Sequence, residues 1–223
     1  MSDALQDKIA VITGGGGGTG AAIAQALAQA GAKVAVNDIN PDRAERTAAT
    51  IRQAGHQALA IAADISNKFQ CVHLVESTRQ EWGQLDILVN NAAVKPRSTI
   101  LKMDEWAWQR CLDVNLKGTF FMSQLVGRVM ADENQERGGA IVNIASSVGV
   151  GGPLPGAAAF TASKAGVVGF TRACAREFAA YHIRVAAVLP DPEEPPARIA
   201  EAVLALCSPE SAKTLPSNIK VIT

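Results

Sequence analysis

A run of glycines near the amino terminus has the composition of a loop that could hold a phosphate group. Gly14 to Gly18 are followed by Thr19 and Gly20, and then by an alanine-rich stretch typical of a helix. Glycine permits positive φ angles and lets the backbone approach a pyrophosphate, whose charge free N–H groups at the beginning of a helix can meet. Because it directly follows an apolar β-branched run, this loop favours a dinucleotide-binding turn over a merely flexible one. Ala21 follows where a nucleoside-triphosphatase loop would have lysine, which excludes that class.

Asp38 is a second residue that could contact such a ligand. It ends the run KVAVND, 24 residues after Gly14, where a dinucleotide-binding fold brings an acid to the hydroxyl groups of the adenosine ribose. A carboxylate accepts hydrogen bonds from these hydroxyls and repels a 2′-phosphate, so Asp38 favours NAD over NADP. The competing interpretation is that Asp38 only caps the helix that begins near Pro41.

Strands and helices alternate along the chain in an order that can bring these residues together. Short β-branched runs are typical of strands covered on both faces, and seven are predicted: Lys8–Thr13, Lys33–Asp38, Gln57–Ala63, Asp86–Asn90, Ala140–Ala145, His182–Leu189 and Ile219–Ile222. The intervening segments predict helices near residues 19–30, 41–54, 67–83, 104–130, 157–181 and 197–207. This alternation predicts a single α/β domain over residues 1–223, a Rossmann-like, doubly wound parallel sheet of about seven strands flanked by helices.

Composition argues against several classes of protein. The 21 lysines and arginines balance 21 aspartates and glutamates, so the chain lacks the basic excess of a nucleic-acid binder or a ligand of anionic membranes. We find no secretory signal and no apolar run of about 18 residues, and therefore expect a cytoplasmic protein without a membrane span. The four cysteines form no C-x-x-C pair, which predicts reduced thiols and no metal site.

Several motifs resemble those of the short-chain dehydrogenase/reductase superfamily, in the same order and over nearly the whole length. The glycine loop is similar to the family's cofactor loop, and Asp64-Ile65 resembles its adenine-contacting turn after the third strand. The run LVNNAA, which contains Asn91, resembles the N-N-A-G motif, with Ala93 replacing the glycine. The resemblance implies a nicotinamide cofactor, NAD rather than NADP, bound by Gly14, Gly18, Thr19, Gly20, Asp38, Asp64, Ile65, Asn91 and Lys164.

The catalytic motifs of the family are present with one change. DVNLKG resembles the segment with the structural and proton-relay asparagine, here Asn115, and IASS places Ser147 at the position of the catalytic serine. In the family, a tyrosine exchanges the proton of the substrate oxygen, and a lysine four residues later lowers its pKa and holds the nicotinamide ribose. Phe160 occupies the tyrosine position, 13 residues after Ser147, and Lys164 follows at the expected spacing. Phenylalanine has no hydroxyl and cannot be the acid, and Tyr181 is about 30 Å further along the predicted helix.

A second departure follows the sixth strand. IRVAAVLP resembles the family's I-R-V-N-x-x-x-P-G, but Ala186 replaces the asparagine and Asp191 the glycine. The segment that normally covers the substrate is missing between Asp191 and the last helix, and the V-D-G-G ending is absent. A natural deletion, an engineered deletion or an omitted segment would leave the same pattern.

We therefore expect an NAD(H)-binding protein whose ancestral reaction is hydride transfer between nicotinamide and a secondary alcohol or ketone, impaired by Phe160. Two alternatives remain open: a non-catalytic dinucleotide-binding sensor or scaffold, or an engineered inactive variant. By resemblance, helices 104–130 and 157–181 pack against their copies in a homodimer or homotetramer. Apart from such copies, the expected partner is a small molecule, with no role for nucleic acid or membrane.

Overall fold

Seven strands form one sheet in the order β3-β2-β1-β4-β5-β6-β7 in the computed structural model, which describes residues 4–152, 154–208 and the backbone of 220–222. The strands are β1 Ile9–Ile12, β2 Lys33–Asp38, β3 Ala58–Ala62, β4 Ile87–Asn90, β5 Gly139–Ile144, β6 Ile183–Leu189 and β7 Lys220–Ile222. β1 to β6 are parallel to one another. The predicted parallel α/β sheet is confirmed for these six strands.

Helices connect the strands across both faces of the sheet. The α-helices are α1 Gly18–Gln29, α2 Pro41–Gln53, α3 Lys68–Trp82, α4 Glu105–Leu112, α5 Gly118–Glu133, α6 Ala158–Phe178 and α7 Pro196–Cys207. A π-helical turn at Asp113–Lys117 joins α4 to α5, so the single helix predicted over residues 104–130 is two α-helices with a bulge between them. Such bulges are common at functional sites, and this one contains Asn115.

Neighbouring residues of β1 show why both faces of the sheet must be covered. Ile12 packs in a cluster with side chains of α1, α2 and α7, including Leu27. Val11 points to the opposite face and packs with side chains of α3, α5 and α6, including Met122. The four cysteines are free and buried, as the sequence predicts. No helix within the described ranges is both long enough and apolar enough to cross a bilayer.

The direction of β7 corrects the expectation of a wholly parallel sheet. β7 begins opposite Leu189, at the end of β6, and runs antiparallel to it. α7 ends beside the beginning of β6, where the Arg184 side chain donates a hydrogen bond of 2.7 Å to the carbonyl oxygen of Leu206. Ile219, the predicted first residue of this strand, lies outside the described residues.

Candidate cofactor and active site

The loop between β1 and α1 has the conformation that only glycine adopts readily. Gly14 and Gly18 have φ angles of +62° and +51°, in the left-handed region that side chains disfavour. A Cβ on Gly14 would lie 2.7 Å from the Cα of Ala92, and a Cβ on Gly20 would lie 2.1 Å from the carbonyl oxygen of Gly14. α1 begins without a side-chain cap. The first backbone N–H groups of α1 therefore have no side-chain hydrogen-bond acceptor, which is what a helix N-terminus that binds an anion requires.

Thr13 and Asn91 fasten the glycine loop to the end of β4. The Thr13 Oγ1 atom accepts hydrogen bonds from the backbone N–H groups of Asn91, at 3.0 Å, and Ala92, at 3.1 Å. The Asn91 amide nitrogen donates to the carbonyl oxygens of Thr13, at 3.0 Å, and Gly14, at 2.9 Å. Asn91 thus fixes the shape of the loop, and the buried Thr13 is a positioning residue that sequence reasoning did not single out.

The Asp38 carboxylate contacts the glycine loop. Its Oδ2 atom accepts a hydrogen bond of 3.2 Å from the N–H group of Gly16, and its Oδ1 atom accepts one of 3.0 Å from Asn40. The N-cap of α2 is Asn40, whose side chain accepts a hydrogen bond from the N–H group of Arg43. The interpretation of Asp38 as only a helix cap is therefore wrong.

Asp64 is held by an ion pair with Arg110 of α4. The Arg110 guanidinium lies 3.0 Å from Asp64 Oδ2 and also donates to the Ser66 hydroxyl at 2.7 Å. Burial by itself would raise the pKa of Asp64, but the hydrogen bonds from Ser66 and the contact with Arg110 outweigh burial and lower it. The adjacent Ile65 is buried. Arg110 thus fixes the turn that was predicted to contact adenine. No sequence motif indicates this role, because it depends on how the fold brings Arg110 to Asp64.

These loops surround a cavity of about 630 Å³ at the carboxyl edge of the sheet. Ligands of doubly wound sheets bind at this edge, and the volume is within the range of cofactor sites. Arg43 and Arg46 line the cavity near Asp38; both were missed in the sequence. The structure brings together nearly all of the predicted cofactor residues, since the lining includes Gly14, Gly18, Thr19, Gly20, Asp38, Asp64, Ile65 and Asn91.

Asn115 ties the segment after β4 to α6. Its Oδ1 atom accepts a hydrogen bond of 2.8 Å from the N–H group of Val94. Its amide nitrogen donates to the carbonyl oxygen of Val94 and the hydroxyl of Ser163, both at 3.0 Å. The Ser163 hydroxyl in turn donates to the carbonyl oxygen of Phe160 at 2.7 Å. The Asn115 side chain therefore has a structural role here, one that the family pattern also implies.

Lys164 lies beneath the ring of Phe160. It is only 3% exposed, and its Nζ atom donates a hydrogen bond to the carbonyl oxygen of Ile144. Burial lowers the pKa of Lys164 to about 8, because the interior solvates an ammonium poorly. Its Nζ atom lies 5.7 Å from the centroid of the Phe160 ring. The two residues thus share one face of α6, as their spacing predicts. Lys164, unlike the other predicted cofactor residues, is not among the residues that line the 630 Å³ cavity.

Ser147 begins a short 3₁₀ turn directly after β5. Its N–H group donates a hydrogen bond of 3.1 Å to the carbonyl oxygen of Pro190, which follows β6. The connection from β6 to α7 consists of residues 190–195. The structure therefore contains a short connection at the place where the sequence resemblance predicts a covering segment.

The order of the strands, the glycine loop and the spacing of Ser147 and Lys164 point to one family. Residues 8–200 match the profile of the short chain dehydrogenase family. The chain belongs to the short-chain dehydrogenase family. The resemblance inferred from the motifs is thereby confirmed.

Two curated relatives and one solved structure align with most of this chain. A 3-oxoacyl-(acyl-carrier-protein) reductase of Synechocystis is 37% identical over 188 residues, covering 84% of this chain and 74% of that protein. A cis-4-hydroxycyclohexanecarboxylate dehydrogenase of Sinomonas cyclohexanicum is 36% identical over 191 residues, covering 85% and 75%. The crystal structure of a short chain dehydrogenase from Mycobacterium smegmatis superposes with a TM-score of 0.89 at 27% identity, covering 96% of this chain and 90% of that one.

Proposed function

We propose that this short-chain dehydrogenase binds NAD(H) in the 630 Å³ cavity and transfers hydride between the cofactor and a secondary alcohol or ketone, at a rate limited by Phe160. The arrangement of Asp38 supports this proposal best. Its carboxylate is anchored to the glycine loop through Gly16 and lines the cavity. A carboxylate at this place accepts hydrogen bonds from ribose hydroxyls and repels a 2′-phosphate.

The residues around the cavity fit a dinucleotide. Gly14 and Gly20 leave space that a Cβ would fill, and the uncapped beginning of α1 offers N–H groups to a pyrophosphate. Asp64 and Ile65 form the wall assigned to adenine. When bound, the nicotinamide supplies or accepts a hydride. Ser147 is assigned to the substrate oxygen, and Lys164 to the nicotinamide ribose.

Two observations favour a second candidate function, a dinucleotide-binding sensor or scaffold without turnover. Phe160 lacks the hydroxyl of the family's acid, and loss of a general acid commonly slows a reaction ~10²–10⁴-fold. The connection of residues 190–195 offers little chain to cover a substrate. The glycine loop, by contrast, is complete. If Phe160 were an engineered substitution, the protein would lack the same hydroxyl and its reaction would be slowed in the same way.

Calorimetric titration with NADH and NADPH tests the binding proposal. We expect clear preference for NADH, whereas equal affinity or tighter binding of NADPH would contradict the role of Asp38. Turnover is then measured as NADH oxidation with small ketones, cyclic oxo acids and 3-oxoacyl thioesters. Tight NADH binding without turnover on any of them would favour the sensor or scaffold.

The surface of α5 and α6 supports a proposed homodimer. Phe120 and Tyr181 are 40% and 51% exposed, and with Phe170 and Phe178 they border a groove of about 360 Å³. Exposed aromatic residues are enriched in interfaces between subunits. Light scattering should show at least a dimer, and Phe120→Asp should shift it towards monomer. A monomeric protein at micromolar concentration would contradict this packing.

The four buried free cysteines fit a reducing compartment such as the cytoplasm.

A further inference from the structure

Two lysine amines lie close to the ring of Phe160, and only one of these lysines belongs to the family pattern. The Nζ atom of Lys164 is 5.7 Å from the ring centroid, and the Nζ atom of Lys95 is 5.0 Å from it. We propose that Lys95 gives the proton to the substrate oxygen in place of the missing tyrosine hydroxyl. This inference rests on the proposed hydride transfer and names the acid that completes it.

The chain on both sides of Lys95 is anchored beside the beginning of α6. Before it, Val94 is held by the Asn115 side chain through both its N–H and its carbonyl group. After it, the N–H group of Ser98 donates a hydrogen bond of 2.9 Å to the carbonyl oxygen of Gly156, shortly before α6. Pro96, which follows Lys95, has a restricted φ angle. The Lys95 backbone is therefore fixed next to Phe160, while four methylene groups leave its amine free to reach a substrate.

The surroundings of the Lys95 amine suit a proton donor. Lys95 is exposed, and its ammonium lies over an aromatic face, which attracts cations within about 6 Å. Among the described residues, the ion pairs within 4 Å include neither Lys95 nor Lys164. Among those residues, no carboxylate lies within 4 Å of the Lys95 ammonium, whose positive charge would stabilise a developing alkoxide.

The proton balance of the reaction can be completed at Lys95. In ketone reduction the carbonyl carbon receives the hydride supplied by the dinucleotide, and the π-electron pair of the C=O bond moves to the oxygen. The oxygen then takes a proton from the Lys95 ammonium, and the N–H bond electrons remain on the nitrogen as the lone pair of a neutral amine. Because Lys95 is exposed, water can return the proton.

Lys164 is less suited to this step. Its amine already donates to the carbonyl oxygen of Ile144, and its side chain is buried beneath the Phe160 ring. A proton lost from this position could not be replaced directly from water. Lys164 therefore remains with the ribose, while Lys95 is exposed and its amine lies near the same ring.

A double-mutant cycle with Phe160→Tyr distinguishes proton donation from a structural role. With Phe160 in place, Lys95→Met should lower kcat/KM for ketone reduction at least ~10-fold. In the Phe160→Tyr protein, the same change should lower it less than ~3-fold, because the new hydroxyl supplies the proton. Lys95→Arg should resemble Lys95→Met, since a guanidinium does not release its proton. Lys102→Met, an exposed lysine of the same connection, is the matched control and should change kcat/KM less than ~2-fold.

A second measurement does not depend on turnover. 4-Nitrophenol, whose phenolate absorbs visible light, is titrated with the cofactor-free protein as a mimic of the substrate oxygen. The Lys95 ammonium should favour the bound phenolate, so the bound phenol should ionise at lower pH in the natural protein and in Lys95→Arg than in Lys95→Met. Equal ionisation in all three proteins, or no binding to any of them, overturns the placement of Lys95 at the substrate oxygen.

The remaining outcomes separate this inference from the proposed function. Turnover that is unchanged in Lys95→Met overturns Lys95 as the donor and leaves the dehydrogenase assignment standing. Full activity in Lys95→Arg would mean that charge alone is needed, which overturns proton transfer. A last outcome is that fluorescence titration shows NADH binding, but neither the unsubstituted protein nor Phe160→Tyr reduces any ketone. The role of Lys95 as proton donor and the proposed turnover would then both be wrong. The proposal that the protein binds the cofactor would stand.

Discussion

The two parts of the molecule, before and after β5, match the family pattern to different degrees. In the first part, the glycine loop, Asp38, Asp64 and Asn91 all lie around one cavity. In the second part, Phe160 stands where the family resemblance predicts a tyrosine, residues 190–195 form a short connection, and β7 runs antiparallel. Cofactor binding depends on backbone shape and many small contacts. Proton transfer depends on one atom, so the reaction can be impaired while the cavity stays complete.

The shape of the glycine loop is expected to tolerate change least. Gly20→Ala places a Cβ 2.1 Å from the carbonyl oxygen of Gly14, and forcing a backbone apart in this way should lower the free energy of unfolding by about 3 kcal/mol. Gly17→Ala is the matched control, because a Cβ there has nothing within 4 Å and should cost about 0.5 kcal/mol or less. Denaturant unfolding measures both. Equal stabilities would show that the glycine loop can move to accommodate the added Cβ.

Lys164 should make the stability of the second part depend on pH. Its pKa is lowered to about 8 in the folded protein and is about 10.4 in an unfolded chain. Between these values the unfolded chain binds more protons, so stability rises with pH. The contribution is fully present above about 10.4 and is lost as the pH falls to about 8. Relative to Lys164→Met, the natural protein should gain about 3 kcal/mol over this window.

Unfolding of both proteins at several pH values, with identical salt, gives the difference directly. Other groups that titrate in this range cancel between the two proteins. A difference that is independent of pH would mean that Lys164 is solvated in solution.

Phe160→Tyr tests whether the missing hydroxyl at position 160 accounts for the expected impairment of hydride transfer. The substitution adds the missing hydroxyl beside Lys164, with Ser147 at the family spacing, and should raise kcat/KM at least ~10-fold on some small ketone. Steady-state NADH oxidation over the ketone panel measures the gain. No gain across the panel would assign the impairment to the short connection after β6 instead.

The smallest effect is expected at the ribose end of the cavity, where charges of both signs meet. Asp38→Ala should narrow the preference for NADH over NADPH by about tenfold, or ~1.4 kcal/mol, because the repulsion of a 2′-phosphate is lost. Arg43→Ala, which removes a guanidinium lining the same end, should act in the opposite direction. Calorimetry with both nucleotides checks each variant. An unchanged ratio in Asp38→Ala would remove the basis for NAD preference.

The sequence by itself determined the parallel α/β sheet, the glycine loop and the position of Phe160. Apolar runs such as Ile9–Ile12 are long enough for a strand and have no polar face, so they require cover on both sides. The glycines after them carry a steric requirement that no other residue meets. The spacing from Phe160 to Lys164 fixes their common face on any helix. These features follow from local geometry, which the order of residues encodes directly.

Only the tertiary structure decided which distant residues meet. The ion pair of Asp64 with Arg110, the anchoring of Val94 by Asn115 and the approach of Lys95 to Phe160 join residues 21 to 65 positions apart. The antiparallel pairing of β7 with β6 likewise joins parts of the chain that are distant in sequence. Periodicity reports which face of an element is buried, but not which neighbour covers it. Which neighbour covers a buried face depends on how the packed elements share one core, and the sequence pattern does not report this.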